Sequence, residues 1–255
     1  MEIPKDNFSN QASLYARYRP TYPAALCSFL NSVVEKKQAA WDCGTGNGQV
    51  AMALSKYFEK VYATDISEQQ IENAVKKANI FYSVERAEHS LFEDSSFDLI
   101  TVAQAIHWFK FDDFYKEVIR TLRPNGILAI MGYGLMRADE DTDKIIDHFY
   151  YNIIGSFWDK ERKYVEENYQ TIPFPFKEIQ VPVLRHTLEW TMEELLGYLE
   201  TWSAVQYYIK SHNHNPVEQI KTQLQKIWAP GTTKTVEFPI LLRVARVDKS
   251  SIQKL

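Results

Sequence analysis

The stretch Ala40-Trp41-Asp42-Cys43-Gly44-Thr45-Gly46-Asn47-Gly48 restricts the folds open to this chain more than any other. A short apolar run ends in an acid, and glycines follow at alternate positions. An amphipathic segment, Gln49 to Phe58, begins at once. The order is strand, tight turn, helix. Glycine reaches backbone angles closed to other residues and lets a ligand approach the main chain. The next helix points unpaired N–H groups into the same space. The spacing is G-x-G-x-G, however. The dinucleotide fingerprint G-x-G-x-x-G needs a glycine at position 49, which is Gln49 here.

The chain has 255 residues, enough for one large domain or a domain with an insertion. Its 45% hydrophobic and 14% aromatic content favours a globular protein with aromatic-lined pockets over a disordered one. A net charge of −4 argues against a general nucleic-acid binder, which needs a basic face. Cys27 and Cys43 give no disulfide framework and read as small buried residues in a reducing compartment. His212 and His214 lack an acid or cysteine at ligand spacing, so no metal is expected. No apolar run approaches the ~18 residues of a membrane span. The start, Met1 to Asp6, lacks the basic and apolar regions of a signal peptide, so the expected location is cytoplasmic.

Along the chain, Pro20 and Pro23 lead into a helix over 24–35. Lys60 to Asp65 reads as a second strand ending in an acid, 17 residues past Gly48. A strand–helix–strand unit of that length sets Asp65 beside the glycine turn, where a carboxylate can accept from both ribose hydroxyls of an adenosine. Ser67 and Gln70 form a capping box for a helix over 68–77. Strands are expected at 81–85, from 98 onward and at 127–131, with a helix over 111–122 and a turn over 123–126. From Gly132 the pattern becomes aromatic and charged, with helices near 141–157 and 160–168 and then Ile172-Pro-Phe-Pro-Phe176. A strand is expected at 177–184, and Thr191 with Glu194 boxes a helical stripe from Met192 to Ile209. A helix over 216–228 and a last, antiparallel strand over 233–247 follow.

Asp42-Cys-Gly-Thr-Gly-Asn-Gly48 resembles the first motif of the class I S-adenosylmethionine-dependent methyltransferases. Tyr15-x-x-x-Arg19-Pro-x-Tyr22-Pro23 and Ala105-Ile-His107-Trp108 are similar to a small-molecule subgroup that includes the trans-aconitate and cantharidin methyltransferases. The resemblance implies an α/β, Rossmann-like, seven-stranded and mostly parallel sheet with helices on both faces. It implies three parts: a lid and cofactor core at 1–133, a helical cap at 134–230 with one core strand near 177–184, and a last strand and tail at 231–255. It implies S-adenosyl-L-methionine as cofactor and S-adenosyl-L-homocysteine as product, with no metal.

The same resemblance assigns residues. Tyr15 and Arg19 belong to a lid, with Arg19 on the methionine carboxylate. Asp42, Gly44, Thr45, Gly46 and Gly48 hold the methionine end. Asp65 and Ile66 take the ribose side, and Ala87 and Glu88 the adenine. Many family members carry Asp-Ala where this chain has Arg86-Ala87, so Glu88 is the replacement acceptor. Gln104 touches the cofactor, and His107, Trp108, Tyr133 and Trp202 face the substrate. The Asn/Asp-Pro-Pro-Tyr/Phe signature of base and glutamine N-methylation is absent after the fourth strand.

The expected activity is methylation of a small molecule, with a carboxylate oxygen as the acceptor the subgroup implies. An ionised carboxylate needs no base, and His107 or Arg137 would then only position it. A phenol or amine would make His107 the base. A cofactor-binding regulator without turnover and a nicotinamide oxidoreductase are the alternatives. The expected partner is a small-molecule substrate, with neither nucleic acid nor membrane, in a monomer or homodimer.

Overall fold

The computed structural model describes residues 17–249. The apolar runs become β1 (Ala39–Cys43), β2 (Lys60–Asp65), β3 (Ile80–Val84), β4 (Phe97–Ala103), β5 (Leu122–Tyr133), β6 (Arg185–Trp190) and β7 (Lys234–Arg246). They form one seven-stranded sheet in the order β3-β2-β1-β4-β5-β7-β6. The pairs from β3 to β5 are parallel, and β7 runs antiparallel to both neighbours. Chain order reverses between β1 and β4. In open α/β sheets that reversal opens a crevice at the carboxyl ends of the strands.

Side-chain alternation divides the core between the two sheet faces. Trp41, Cys43, Ile100, Val102, Leu128 and Ile130 pack on one face. Ala40, Leu99, Ile127, Ala129 and Met131 pack on the other. A one-residue slip would exchange these sets, so burial on both faces fixes the register. Trp41 is fully buried, and its indole N–H donates to Thr64 Oγ1 at 2.8 Å. A buried indole requires such a partner.

Helix α1 (Ala24–Val33) precedes β1, and α2 (Gln49–Leu54), α3 (Glu68–Glu72) and α4 (Phe111–Thr121) follow β1, β2 and β4. The Ser67 hydroxyl caps α3 by accepting from the Gln70 N–H at 3.3 Å. A third hydrophobic cluster builds a cap. It draws on Phe149, Tyr150, Leu199, Trp202 and Trp228 and reaches Phe238 on β7. Its helices are α5 (Glu140–Asp147), α6 (Lys163–Glu166), α7 (Met192–Glu200), α8 (Ser203–His212) and α9 (Glu218–Ile227). A π-helical turn at His148–Ile153 and short 3-10 turns join α5 to α6.

The structure departs from the sequence expectations in three places. The strand expected at 177–184 lies at 185–190 instead. Pro182 has no N–H for a ladder, and the earlier segment meets the β7 backbone at the Glu178–Ala245 bridge and by single bonds at Ile179 and Leu184. Buried Arg243 holds this stretch by donating to Tyr169 O, Ile172 O and Glu178. The turn at 123–126 is absorbed into β5 as a register shift, with Asn125 at φ 64°. The stripe from Met192 to Ile209 is two helices, because α7 ends at Glu200 and α8 restarts at Ser203. The capping box at its start is present: Glu194 N–H donates to Thr191 Oγ1 at 3.2 Å, and Thr191 N–H to Glu194 Oε2 at 2.7 Å.

Candidate active site

The carboxyl ends of β1, β2 and β4 converge on the glycine turn. Gly46 holds φ 54°, and a side chain there would point into open space, with Gln70 Oε1 nearest at 3.9 Å. A positive φ with an open face is a backbone shaped for a ligand. Gly44 is needed for a different reason. A Cβ there would lie 2.7 Å from Ala105 Cβ, so the turn packs directly against the end of β4.

Around this turn lies a cavity of about 780 Å³. That is within the usual size of a small-molecule site, ~300–1,000 Å³. The turn contributes Gly44, Thr45 and Gly46, and the end of β2 contributes Asp65 and Ile66. The loops after β3 and β4 contribute Ala87, Glu88, Gln104 and Trp108. Arg19 and Tyr133 line it as well. The structure therefore gathers most of the residues singled out from the sequence.

Asp65 Oδ2 accepts from the Gly46 N–H at 2.8 Å, and Oδ1 from Ser67 N–H at 3.0 Å. The carboxylate thus ties β2 to the glycine turn. The Asp65 side chain also lines the cavity. Glu88 lines the cavity while accepting from Lys110 N–H at 3.0 Å, with Arg86 Nε 3.6 Å away. Gln104 sits at φ 53°, unusual for a non-glycine residue. Its amide is anchored at both ends: Nε2 donates to Tyr133 O at 3.1 Å, and Oε1 accepts from Tyr169 Oη at 2.9 Å. Arg19 donates to Tyr133 Oη at 3.2 Å and to Thr201 O at 3.0 Å, which bridges the N-terminal segment to the cap.

Asp42 and Gly48 do not line the cavity. Asp42 is fully buried beneath the turn, accepting from Thr45 Oγ1 at 2.5 Å, Thr101 Oγ1 at 2.8 Å and Ala51 N–H at 3.0 Å. Burial pushes its carboxyl up to about 6, although those three donors pull the other way. A Cβ at Gly48 would fall 2.2 Å from Tyr82 Oη, so Gly48 faces β3. Arg137 is also elsewhere, paired with Asp147 at 2.7 Å on the surface. Tyr15 lies outside the described residues.

A smaller annex of about 40 Å³ shares Arg19, Gln104 and Trp108 with the main cavity. His107 and Trp202 line this annex, not the cavity. His107 is 9% exposed, and its Nδ1 is buried with no hydrogen-bond partner. Burial, helped by the Arg162 charge, holds its imidazole down at about 3. His107 is therefore neutral at every pH in which the protein is expected to work. Trp158, Asp159 and Arg162 from the cap complete the annex, and Lys160 and Glu161 reach the cavity. Sequence reasoning missed these cap residues. They stand in a charged stretch, Asp159-Lys-Glu-Arg-Lys163, that reads as a solvated face. Among the described residues no group of three or more His, Cys, Asp or Glu is placed to hold a metal ion. No helix among them is long and apolar enough to cross a membrane.

The chain resembles known proteins over nearly its whole length. The sequence family described as "Methyltransferase domain" matches residues 41–130. A Dictyostelium discoideum protein named as a methyltransferase is 36% identical over 251 residues, covering 95% of each chain. A Mycobacterium tuberculosis protein named as a methyltransferase is 30% identical over 188 residues, covering 72% of this chain and 70% of its own. The solved structure of a protein described as a type II methyltransferase from Anaeromyxobacter dehalogenans superposes with a TM-score of 0.84 at 38% identity. It covers 91% of this chain and 99% of its own.

Proposed function

We propose a function from one premise: this chain belongs to the methyltransferases, as an S-adenosylmethionine-dependent enzyme of class I. The proposed reaction is methylation of a small molecule on a carboxylate oxygen. The observation that carries the small-molecule reading is the cavity itself, in which an open glycine turn and the Asp65 carboxylate meet. That cradle fits the cofactor: Gly46 leaves room for a ligand against the main chain, and Asp65 sets a carboxylate, an acceptor suited to ribose hydroxyls, on the cavity wall. When bound, S-adenosylmethionine supplies an electrophilic sulfonium methyl.

In this reading Gly44, Thr45 and Gly46 border the methionine end, and Arg19 takes its carboxylate. Ile66 packs on the ribose side. The Ala87 N–H and the Glu88 carboxylate hold adenine. Gln104, fixed by Tyr133 and Tyr169, forms the wall between cofactor and acceptor. Asp42 acts from below, shaping the turn through Thr45 and Ala51. The chain's own contribution to rate is to align the acceptor and keep water out. Alignment is worth ~7–11 kcal/mol of barrier in well-oriented systems.

His107 supports an acceptor that arrives ionised. A base held near 3 is poor at neutral pH: protonating it at pH 7 costs about 5 kcal/mol. A carboxylate needs no such step. His107→Gln is therefore expected to keep kcat within about threefold on a carboxylate substrate found by screening small acids for methyl uptake. The kcat profile is expected to show no inflection near pH 6.5, since His107 does not titrate there. A roughly thousandfold fall in the variant, within the range of lost general-base catalysis, would contradict this reading.

A further inference from the structure

We propose that Tyr169, which borders neither the cavity nor the annex, is a positioning residue for the cofactor. Its hydroxyl pins Gln104 from behind, in the orientation in which Gln104 walls the site. The proposal rests on the reading of Gln104 as a cofactor contact.

Gln104 is the first observation. It leaves β4 at φ 53°, and its N–H donates to Met131 O at 2.9 Å. Its Nε2 donates to Tyr133 O at 3.1 Å, and its Oε1 accepts from Tyr169 Oη at 2.9 Å. Two of these partners are carbonyls of β5, and the third comes from the loop after α6. A carbonyl only accepts, so Tyr133 O fixes which end of the amide carries nitrogen. Oε1 must then face Tyr169, and the phenol must be the donor. Gly132 makes room for that bond. A Cβ at Gly132 would lie 2.6 Å from Gln104 Oε1 and 2.7 Å from Tyr169 Oη. Strand β5 thus leaves out a side chain at the point where the two groups meet.

The backbone of Tyr169 is the second observation. Asn168 and Tyr169 hold φ 54° and φ 60°, two left-handed residues in succession, neither of them glycine. Such a conformation is strained for a bulky side chain and persists where the surroundings over-determine it. Here they do. The Tyr169 side chain is fully buried, and its N–H donates to Tyr164 O at 2.7 Å. From β7, Arg243 donates to Tyr169 O at 2.9 Å and to Ile172 O at 2.8 Å, while Glu178 pairs with its guanidinium at 2.6 Å. The sheet thus holds the loop in a conformation that aims one hydroxyl at the back of the cavity wall. The same ring lies 6.2 Å from the His107 imidazole, with the planes 27° apart. Tyr169 therefore backs His107 with its ring and Gln104 with its hydroxyl.

The test is calorimetric titration of the full chain with S-adenosylhomocysteine, with thermal melting to show that each variant is folded. Tyr169→Phe keeps the ring against His107 and removes one oxygen. It is expected to raise Kd by about 3–10-fold, the worth of one neutral hydrogen bond. Gln104→Ala should raise it at least as far. The double variant should bind no more weakly than Gln104→Ala alone, because the phenol acts through the amide. Combined with Asp65→Ala, Tyr169→Phe should instead multiply the loss, since Asp65 ends β2 and β1 lies between β2 and β4. Gly132→Ala, which drives a methyl group into the same bond from β5, should weaken binding at least as much as Tyr169→Phe. A change below about threefold in Tyr169→Phe overturns the proposal, since a lost hydrogen bond is worth more. Losses that multiply in the double variant with Gln104→Ala also overturn it, as does equal coupling to Asp65→Ala, the mark of a general loosening. Full affinity in Gln104→Ala would remove the cofactor contact of Gln104 and this proposal with it, leaving the Asp65 cradle in place. No binding by wild type would remove the cofactor reading as a whole.

Discussion

Asp65→Ala is expected to weaken S-adenosylhomocysteine binding by at least about a hundredfold, measured by calorimetric titration. Two hydrogen bonds from ribose hydroxyls to a carboxylate are worth ~1.5–3 kcal/mol each, and a hundredfold change is about 2.7 kcal/mol. The loss has a second source. Asp65 also accepts from the Gly46 N–H at 2.8 Å, so its removal loosens the turn that would border the methionine end. Asp65→Asn separates the two. Its amide oxygen can still accept from Gly46, but the charge and one acceptor atom are gone. Its affinity should fall between wild type and alanine. Thermal melting without ligand should place both variants close to wild type, because the carboxylate is only half-buried. An affinity within threefold of wild type for Asp65→Ala would remove the ribose assignment and leave the cradle without an anchor.

The position of Asp65 was legible because it follows from topology. Once the glycine turn marks the end of the first strand, the next strand must end beside it in any parallel sheet of this kind. The same logic placed Gly44, Gly46, Gln104 and Trp108, each on a loop leaving a carboxyl end of the sheet. Asp42 shows the limit of that logic. Its position at the end of β1 is right, but whether an acid at a strand end faces up or down depends on one step of pleat. Here the neighbours Thr45, Thr101 and Ala51 capture it beneath the turn. Arg162 and Trp158 were not legible at all. They lie in short 3-10 and irregular turns, which carry no periodicity, and they reach the site only through cap packing. The misplaced sixth strand has a similar cause. Apolar residues at Ile179, Val181 and Leu184 suggest a strand, but they pack against one sheet face while Pro182 interrupts the ladder.

Asp42 carries the other large expected effect, on stability and its pH dependence. Its carboxyl is held up at about 6 in the folded chain, against an ordinary value of 3.8. The folded state therefore prefers the protonated acid. The resulting stabilisation is complete below the unfolded value and is lost as pH rises through the folded one. The difference corresponds to roughly 2.4 kcal/mol between pH 4 and pH 8. Other carboxylates also shift stability over this range, so the wild-type curve alone does not isolate it. A variant comparison does. Asp42→Asn can keep the geometry: its oxygen can take the Oδ2 site and accept from Thr45 and Ala51, while its NH₂ donates to Thr101. The Thr101 hydroxyl can then turn toward Trp41 O, 3.5 Å away. Urea unfolding of the ligand-free protein should show Asp42→Asn gaining about 2.4 kcal/mol on wild type as pH goes from 4 to 8. Asp42→Ala behaves differently. It strands the Ala51 N–H and the Thr45 hydroxyl beneath the turn, at ~1–3 kcal/mol each, and leaves the Thr101 hydroxyl only Trp41 O, so it should lose at least about 2 kcal/mol at either pH. A gap between wild type and Asp42→Asn that is flat with pH would mean that the acid under the turn is ionised in the folded chain, and that Thr45, Thr101 and Ala51 outweigh its burial.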